Sequence, residues 1–384
     1  MSGLRLWQRG ALGAALLGVV VGCAGSASGE LPLADGLGGA DVAVYVTQFT
    51  NDATTDGRVL LYDRGGPVSM VSHQGIRVPG LIWDDAGLFF VDQTTDFQLS
   101  DRLERHTRSR AADTLVGMQG GPNGRRVVLF NDGLSEGKNH TGVGVYRGVK
   151  EESQQTLLDS VAGTFSSCAG GAYSAGSRSV EDDQVELIRL DPEDGGSPKS
   201  VGARRAGVLA SAADSPCRDE SVVALWYPDG NASSLPLEAW QWSTVDGEVK
   251  RTLLRDGDQR FLVGADMISN AQVPVWASGS GLLWVDNAGT AWRADLKTGA
   301  TVKVREGLET SDGQVQSWVG RGNWMVQFVN SDDASSAHLN IYSAKDLSLV
   351  ETRELPRLDE LTPDGQMVLA VAVSPDFAPS SAKR

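Results

Sequence analysis

Histidine and cysteine are scarce in this chain. Its 384 residues hold four histidines, His73, His106, His140 and His338, scattered singly, and three cysteines. No His-x-His or His-Glu-x-x-His pair occurs, which excludes the commonest transition-metal ligand spacings. No apolar run approaches the roughly 18 to 20 residues that a membrane-spanning helix needs. No long stretch carries the period of an amphipathic helix, and no glycine-rich loop follows a strand and opens a helix, so a nucleotide phosphate cradle is not indicated. Positive charge is the minority: 34 Lys and Arg stand against 49 Asp and Glu, a net charge of −15. Such a surface repels nucleic acid and anionic lipid rather than attracting them.

What is present begins with an address. Arg5 and Arg9 precede an apolar stretch from Ala11 to Val21, the layout of an export signal. The stretch ends in Val20-Val21-Gly22-Cys23, which resembles the bacterial lipobox, in which the cysteine is acylated and becomes the new first residue. The resemblance implies a signal peptide over 1–22, lipidation of Cys23, and a protein held on the outer side of a bacterial membrane by acyl chains such as palmitate. The alternative is an ordinary signal cleaved at a small-residue site, with Cys23 incidental. Residues 23–37, rich in Gly, Ser and Ala, are expected to form a flexible tether. Loss of 1–22 removes two positive charges and no negative ones, so the mature chain is more acidic still.

Beyond the tether the chain repeats itself. Gly281 to Arg305 is the clearest unit, with three short strands: Leu282 to Val285, Ala291 to Ala294 and Thr301 to Val304. Asp286-Asn287-Ala288-Gly289 and Asp295-Leu296-Lys297-Thr298-Gly299 separate them, rich in residues that tolerate tight turns. The first strand, opened by a small or turn residue, recurs at Gly39 to Val46, Gly87 to Val91, Gly124 to Phe130, weakly at Gly171 to Ser174, and again at Ser221 to Trp226, Gly322 to Phe328 and Gly365 to Val371. The second strand recurs at Val59 to Tyr62, Leu103 to His106, Val143 to Tyr146, Val185 to Ile188, Leu237 to Trp240 and Leu339 to Tyr342. Units of roughly 40 to 60 residues, each too small to bury its own faces, must stack on one another.

The expected fold is therefore all-β, a seven-bladed β-propeller over 38–377, with a disordered tail at 378–384. Seven second strands but eight first strands are explained if Met367 to Val373 pairs into the first blade and closes the ring, removing open edges. An eight-bladed ring with a truncated last blade is the competing count. The units resemble bacterial propeller repeats, the broad group that includes WD-type, quinoprotein-like and TolB-like domains. The resemblance implies the fold and brings no functional residue with it.

Linkers between first and second strands are often long and polar: 51–57, 92–101, 131–141, 176–184, 227–235 and 330–337. In a propeller they emerge on one face, where binding is expected. They carry Asp52, Asp56, Asp92, Asp96, Asp132, Glu136, Asp229, Asp332 and Asp333, a candidate binding face for a protein or small ligand, and His140 falls in the third of them. Such carboxylates suit Ca²⁺, although no loop has EF-hand spacing and no cofactor is required. The plainer reading makes them turn formers of an acidic protein. The function that follows is a non-catalytic binding module; the alternative is a propeller lactonase, lyase or hydrolase with a metal in its central channel. Of the ten tryptophans, Trp7 falls in the signal, while Trp226, Trp240, Trp284, Trp292 and Trp324 fall inside strands and suit packing between blades better than a sugar-binding stripe. Cys168 and Cys217, about one repeat apart and each just ahead of a first strand, suggest one disulfide between neighbouring blades; two free thiols are the alternative.

Overall fold

The computed structural model describes residues 31–48, 56–121, 124–135, 138–151, 156–158, 161–177, 184–192, 195–205, 208–209, 214–227, 235–263, 275–286, 288–309, 318–330 and 337–383. Antiparallel sheets succeed one another along the chain, and the first strands of successive sheets pack side by side around a common axis. From the axis outward, blade two is Leu81–Asp84, Gly87–Val91, Thr95–Leu99 and Leu103–Thr107. Blade three is Leu115–Gly120, Arg125–Ser135 and Lys138–Arg147, edged by Lys150–Glu151 and Thr156–Leu158. Blade four is Val161–Cys168, Gly171–Ser177, Gln184–Arg189 and Lys199–Arg205. Blade five has its innermost strand in two pieces, Val208–Leu209 and Cys217–Arg218, followed by Ser221–Tyr227, Glu238–Ser243 and Val249–Leu253. Blades six and seven are Val275–Ser278, Gly281–Val285, Ala291–Asp295, Thr301–Arg305 and Trp318–Arg321, Trp324–Val329, His338–Ser343, Leu349–Glu354.

Blade one closes the ring. Its second to outer strands, Val42–Thr47, Asp56–Asp63 and Gly66–Gln74, come from the start of the ring, while its innermost strand is Met367–Val373 from the end. Val42 faces Val373 and Val44 faces Val371 in the antiparallel register. The eighth copy of the first-strand pattern is thus an innermost strand, and the ring has seven blades. Arg321 fastens the closure: its Nε donates to Val373 O at 3.1 Å and its guanidinium also reaches Trp83 O, joining blades seven, one and two.

Two expectations about individual elements change. Leu103 to His106, expected as the second strand of its unit, is the outer strand of blade two, and the linker over 92–101 contains the strand Thr95–Leu99, whose Phe97 and Leu99 are buried. The polar linker over 131–141 is largely a continued hairpin, with Lys138 opposite Ser135. The ends of the ring are also more ordered than composition suggests. Leu33 bridges Met70 in parallel, Leu31 is buried, and Ala34 N donates to Met70 O at 2.8 Å, so the last residues of the expected tether lie along blade one. Ser380–Lys383 forms a short 3₁₀ turn, held where Arg64 donates to Ala378 O at 2.7 Å.

Apolar side chains fill the spaces between blades. Val, Leu and Phe at alternate positions of the inner strands supply this core because a strand sends successive side chains to opposite faces. Buried arginines add directional links. Arg126 donates to both carboxylate oxygens of Asp84, at 2.9 and 2.6 Å, and to Gln98 at 2.7 Å, while its guanidinium lies 4.9 Å from the Phe89 ring centre. Leaving either partner of this pair alone would cost about 3 to 5 kcal/mol. The disulfide is present: Cys168 and Cys217 are bonded with Cα atoms 5.0 Å apart, tying the innermost strands of blades four and five.

Candidate ligand-binding site

The acidic residues of the long linkers divide when placed on this ring. Asp52, Glu136, Asp229, Asp332 and Asp333 lie outside the described residues, as does Cys23. Asp132 is on the strand Arg125–Ser135, and Asp56 is exposed at the start of its strand. Asp92 and Asp96 are buried, 3% and 0% exposed. Asp92 Oδ1 accepts from Thr94 N at 2.7 Å and Thr95 N at 2.6 Å, forming the turn that starts the strand Thr95–Leu99. Asp96 pairs with Arg108, whose guanidinium also reaches Asp92 O and lies 4.7 Å from the Phe130 ring centre. The Asp96 carboxylate therefore helps hold blades two and three together through Arg108, while Asp92 Oδ2 accepts from Gln74 N of blade one at 3.3 Å. Among the described residues no group of three His, Cys, Asp or Glu side chains gathers as a metal site. Gly133-Leu134-Ser135-Glu136-Gly137 has the spacing of a hydrolase nucleophile elbow, but Ser135 ends one strand of a hairpin and Lys138 begins the other, where the elbow needs a helix.

A cavity of about 240 Å³ opens instead between blades five and six, lined by Asp256, Gln259, Arg260, Phe261, Leu262, Trp284, Asp286 and Trp292. Strand register builds one wall. Val275 faces Trp284, Trp284 faces Trp292, and Trp292 faces Lys303, so four side chains form a row across blade six from the axis outward. The other wall is the connection leaving blade five. Arg255–Asp256 pairs with Gln259–Arg260 as a small exposed hairpin, after which Leu237 N donates to Phe261 O and Phe261 N to Leu254 O, fixing the Phe261 ring in the interface. Phe261 meets Trp292 at 4.8 Å and 73°, and Trp284 at 5.9 Å and 86°, between ring centres.

Asp286 fixes the cavity's charge. It is 4% exposed; Oδ1 accepts from Ala288 N at 3.0 Å and Thr290 N at 2.9 Å, and Oδ2 accepts from Trp292 Nε1 at 2.8 Å. The aspartate that makes the turn thus also locks the tryptophan on the next strand. The same turn supports blade seven's neighbourhood, since Leu308 N donates to Gly289 O at 3.0 Å. Glu309 follows, receiving Asn340 Nδ2 at 2.9 Å and lying 3.2 Å from His338 Nε2. The sequence pattern identified the Asp286 turn and the strands bearing Trp284 and Trp292; the contribution of 256–262 carried no strand signal.

Asp214 is the one carboxyl strongly altered near the axis. It forms a parallel bridge with Phe165 on the innermost strand of blade four, next to Ser215, whose Oγ is 2.6 Å from Thr164 Oγ1. Nearby protein raises its carboxyl from the ordinary value, and the exposure of the residue to solvent limits that rise.

No family profile and no curated protein matches the chain. Solved structures do. A 6-phosphogluconolactonase of Bacteroides fragilis, so described provisionally, is 10% identical, covering 86% of this chain and 97% of its own, with a TM-score of 0.44. BamB from Moraxella catarrhalis is 12% identical, with 84% and 83% covered and a TM-score of 0.42. Apo AztD from Citrobacter koseri is 8% identical, with 87% and 98% covered and a TM-score of 0.41. At such identities no site residue carries across.

Proposed function

We propose that this chain is an exported, lipid-anchored binding propeller, in which Cys23 carries the acyl chains and the ring offers the cavity between blades five and six to a ligand or protein partner. The lining of that cavity supports the reading. Aromatic rings and a carboxylate are mounted on rigid strands, and the carboxylate is saturated by three N–H donors. A carboxylate so fully engaged is a fixed element of the wall, which suits recognition. The corresponding assay offers the purified protein lactones and glycans, together with analysis for bound Ca²⁺. No turnover above that of an Asp214→Asn variant is expected. Turnover that Asp214→Asn abolishes would overturn the binding reading in favour of the alternative, a propeller hydrolase working in the central channel.

The address is tested separately. Each buried methylene contributes about 0.8 kcal/mol, so two or more acyl chains anchor stably. Among the described residues no helix is long and apolar enough to cross a membrane. Cys23→Ser is expected to move the protein from the membrane fraction to the soluble one. Retention in the membrane fraction would contradict lipidation.

A further inference from the structure

The cavity's walls specify a ligand chemistry. Phe261 packs edge-to-face on both tryptophans, at 73° to Trp292 and 86° to Trp284, and with Trp284 fully buried it is Trp292 that keeps exposed ring surface at the cavity. The face of an aromatic ring is electron-rich and attracts cations. Trp292 already draws one, with Lys303 Nζ 5.7 Å from its ring centre. The charge of the lining agrees. Asp286 accepts from neutral donors, two backbone N–H groups and an indole. Asp256 adds a second carboxylate at the exposed mouth, beside Arg260 as the single cation of the lining. The cavity is below the range of about 300 to 1,000 Å³ that holds drug-sized molecules, which restricts the ligand to a small one.

We propose that this cavity binds a small organic cation, one with a quaternary or alkylated ammonium head. The half-buried Trp292 ring meets the head, with the buried Phe261, Trp284 and Asp286 forming the floor behind it, Asp256 attracts it at the mouth, and Arg260 is placed to meet an anionic tail. A neutral sugar would use the rings but leave the carboxylates unanswered, with only Gln259 among the lining side chains as a neutral polar partner. An anion would face two carboxylates for one guanidinium. The net charge of −15 steers cations toward the protein as a whole. This assignment rests on the binding reading and names its ligand class.

The test is a titration of the intact mature protein, followed by tryptophan fluorescence, with choline, glycine betaine and glucose as probes. Choline and betaine are expected to give saturable changes and glucose none. Asp256→Asn, an exposed change that leaves the core untouched, is expected to weaken choline by roughly two- to fivefold, the range of a solvent-exposed ion pair. Trp292→Leu should weaken it at least as much. Arg260→Gln should weaken betaine and leave choline unchanged if the guanidinium meets the tail. The proposal is overturned if neither ammonium compound saturates by about 100 mM, well above the weakest specific affinities. Glucose binding in preference to choline, or choline binding indifferent to both Asp256→Asn and Trp292→Leu, would also overturn it. None of these results bears on the non-catalytic reading, which turnover alone overturns.

Discussion

At His73 the imidazole packs against Tyr45, Phe90 and Phe97, with ring centres 4.7, 5.5 and 5.9 Å away. Gly57 lies flat against it, where any side chain would collide with the ring. Burial lowers its pKa from the ordinary value, opposed in part by the bond to Gln74 O and by the Asp92 carboxylate. A depressed pKa means that the unfolded chain takes the proton more readily than the folded one. The stability this gives is complete above about pH 6.5 and is lost as pH falls below it toward the folded value, at no more than about 1.4 kcal/mol per pH unit. Thermal melts from pH 7 to pH 5 should therefore show a steeper decline for the native protein than for His73→Phe, and parallel declines would contradict the account. The same neighbourhood explains a misplaced expectation. Asp92 and Asp96 look like surface acids in sequence, because nothing local announces that Arg108 folds back onto them.

Among the elements, the innermost strand of blade five is the least continuous, broken between Val208–Leu209 and Cys217–Arg218. The Cys168–Cys217 bond fastens its second piece to the neighbouring strand Val161–Cys168. Closing a loop of 49 residues restricts the unfolded chain by about 4 kcal/mol in the entropy treatment. Reduction is expected to lower the melting temperature by several degrees, and Cys168 and Cys217 should resist thiol labelling in the denatured, unreduced protein. An unchanged melting temperature would contradict the stabilising role; labelling of both would contradict the bond. The strand Thr95–Leu99 shows where element reading fails. Its sequence, Thr-Asp-Phe-Gln-Leu, carries two polar residues that burial normally disfavours, and they are acceptable inside only because Arg108 meets Asp96 and Arg126 meets Gln98. By contrast the turn Asp295-Leu296-Lys297-Thr298-Gly299 was legible residue by residue. Asp295 Oδ1 accepts from Lys297 N and Thr298 N, and Gly299 takes the positive φ of 77°.

For the whole molecule, the repeat period and the surplus eighth strand sufficed to anticipate a seven-bladed ring closed by Met367–Val373, because blade stacking is written into every unit. The candidate site was only half legible. Trp284, Trp292 and the Asp286 turn belong to the repeat, and a repeat predicts packing. The residues 256–262 that convert this packing into a cavity lie in the connection between two blades, and their partner wall is set by ring geometry rather than by any local pattern. The central claim is that this interface receives a ligand. It is tested most directly by following the tryptophan indole N–H resonances of the mature protein while choline is added. A saturable shift of the Trp292 indole, which donates to Asp286, is expected, with Trp240 and Trp242 on the side of blade five facing blade four unmoved. A Trp292 resonance indifferent to choline, or shifts confined to the other tryptophans, would contradict it.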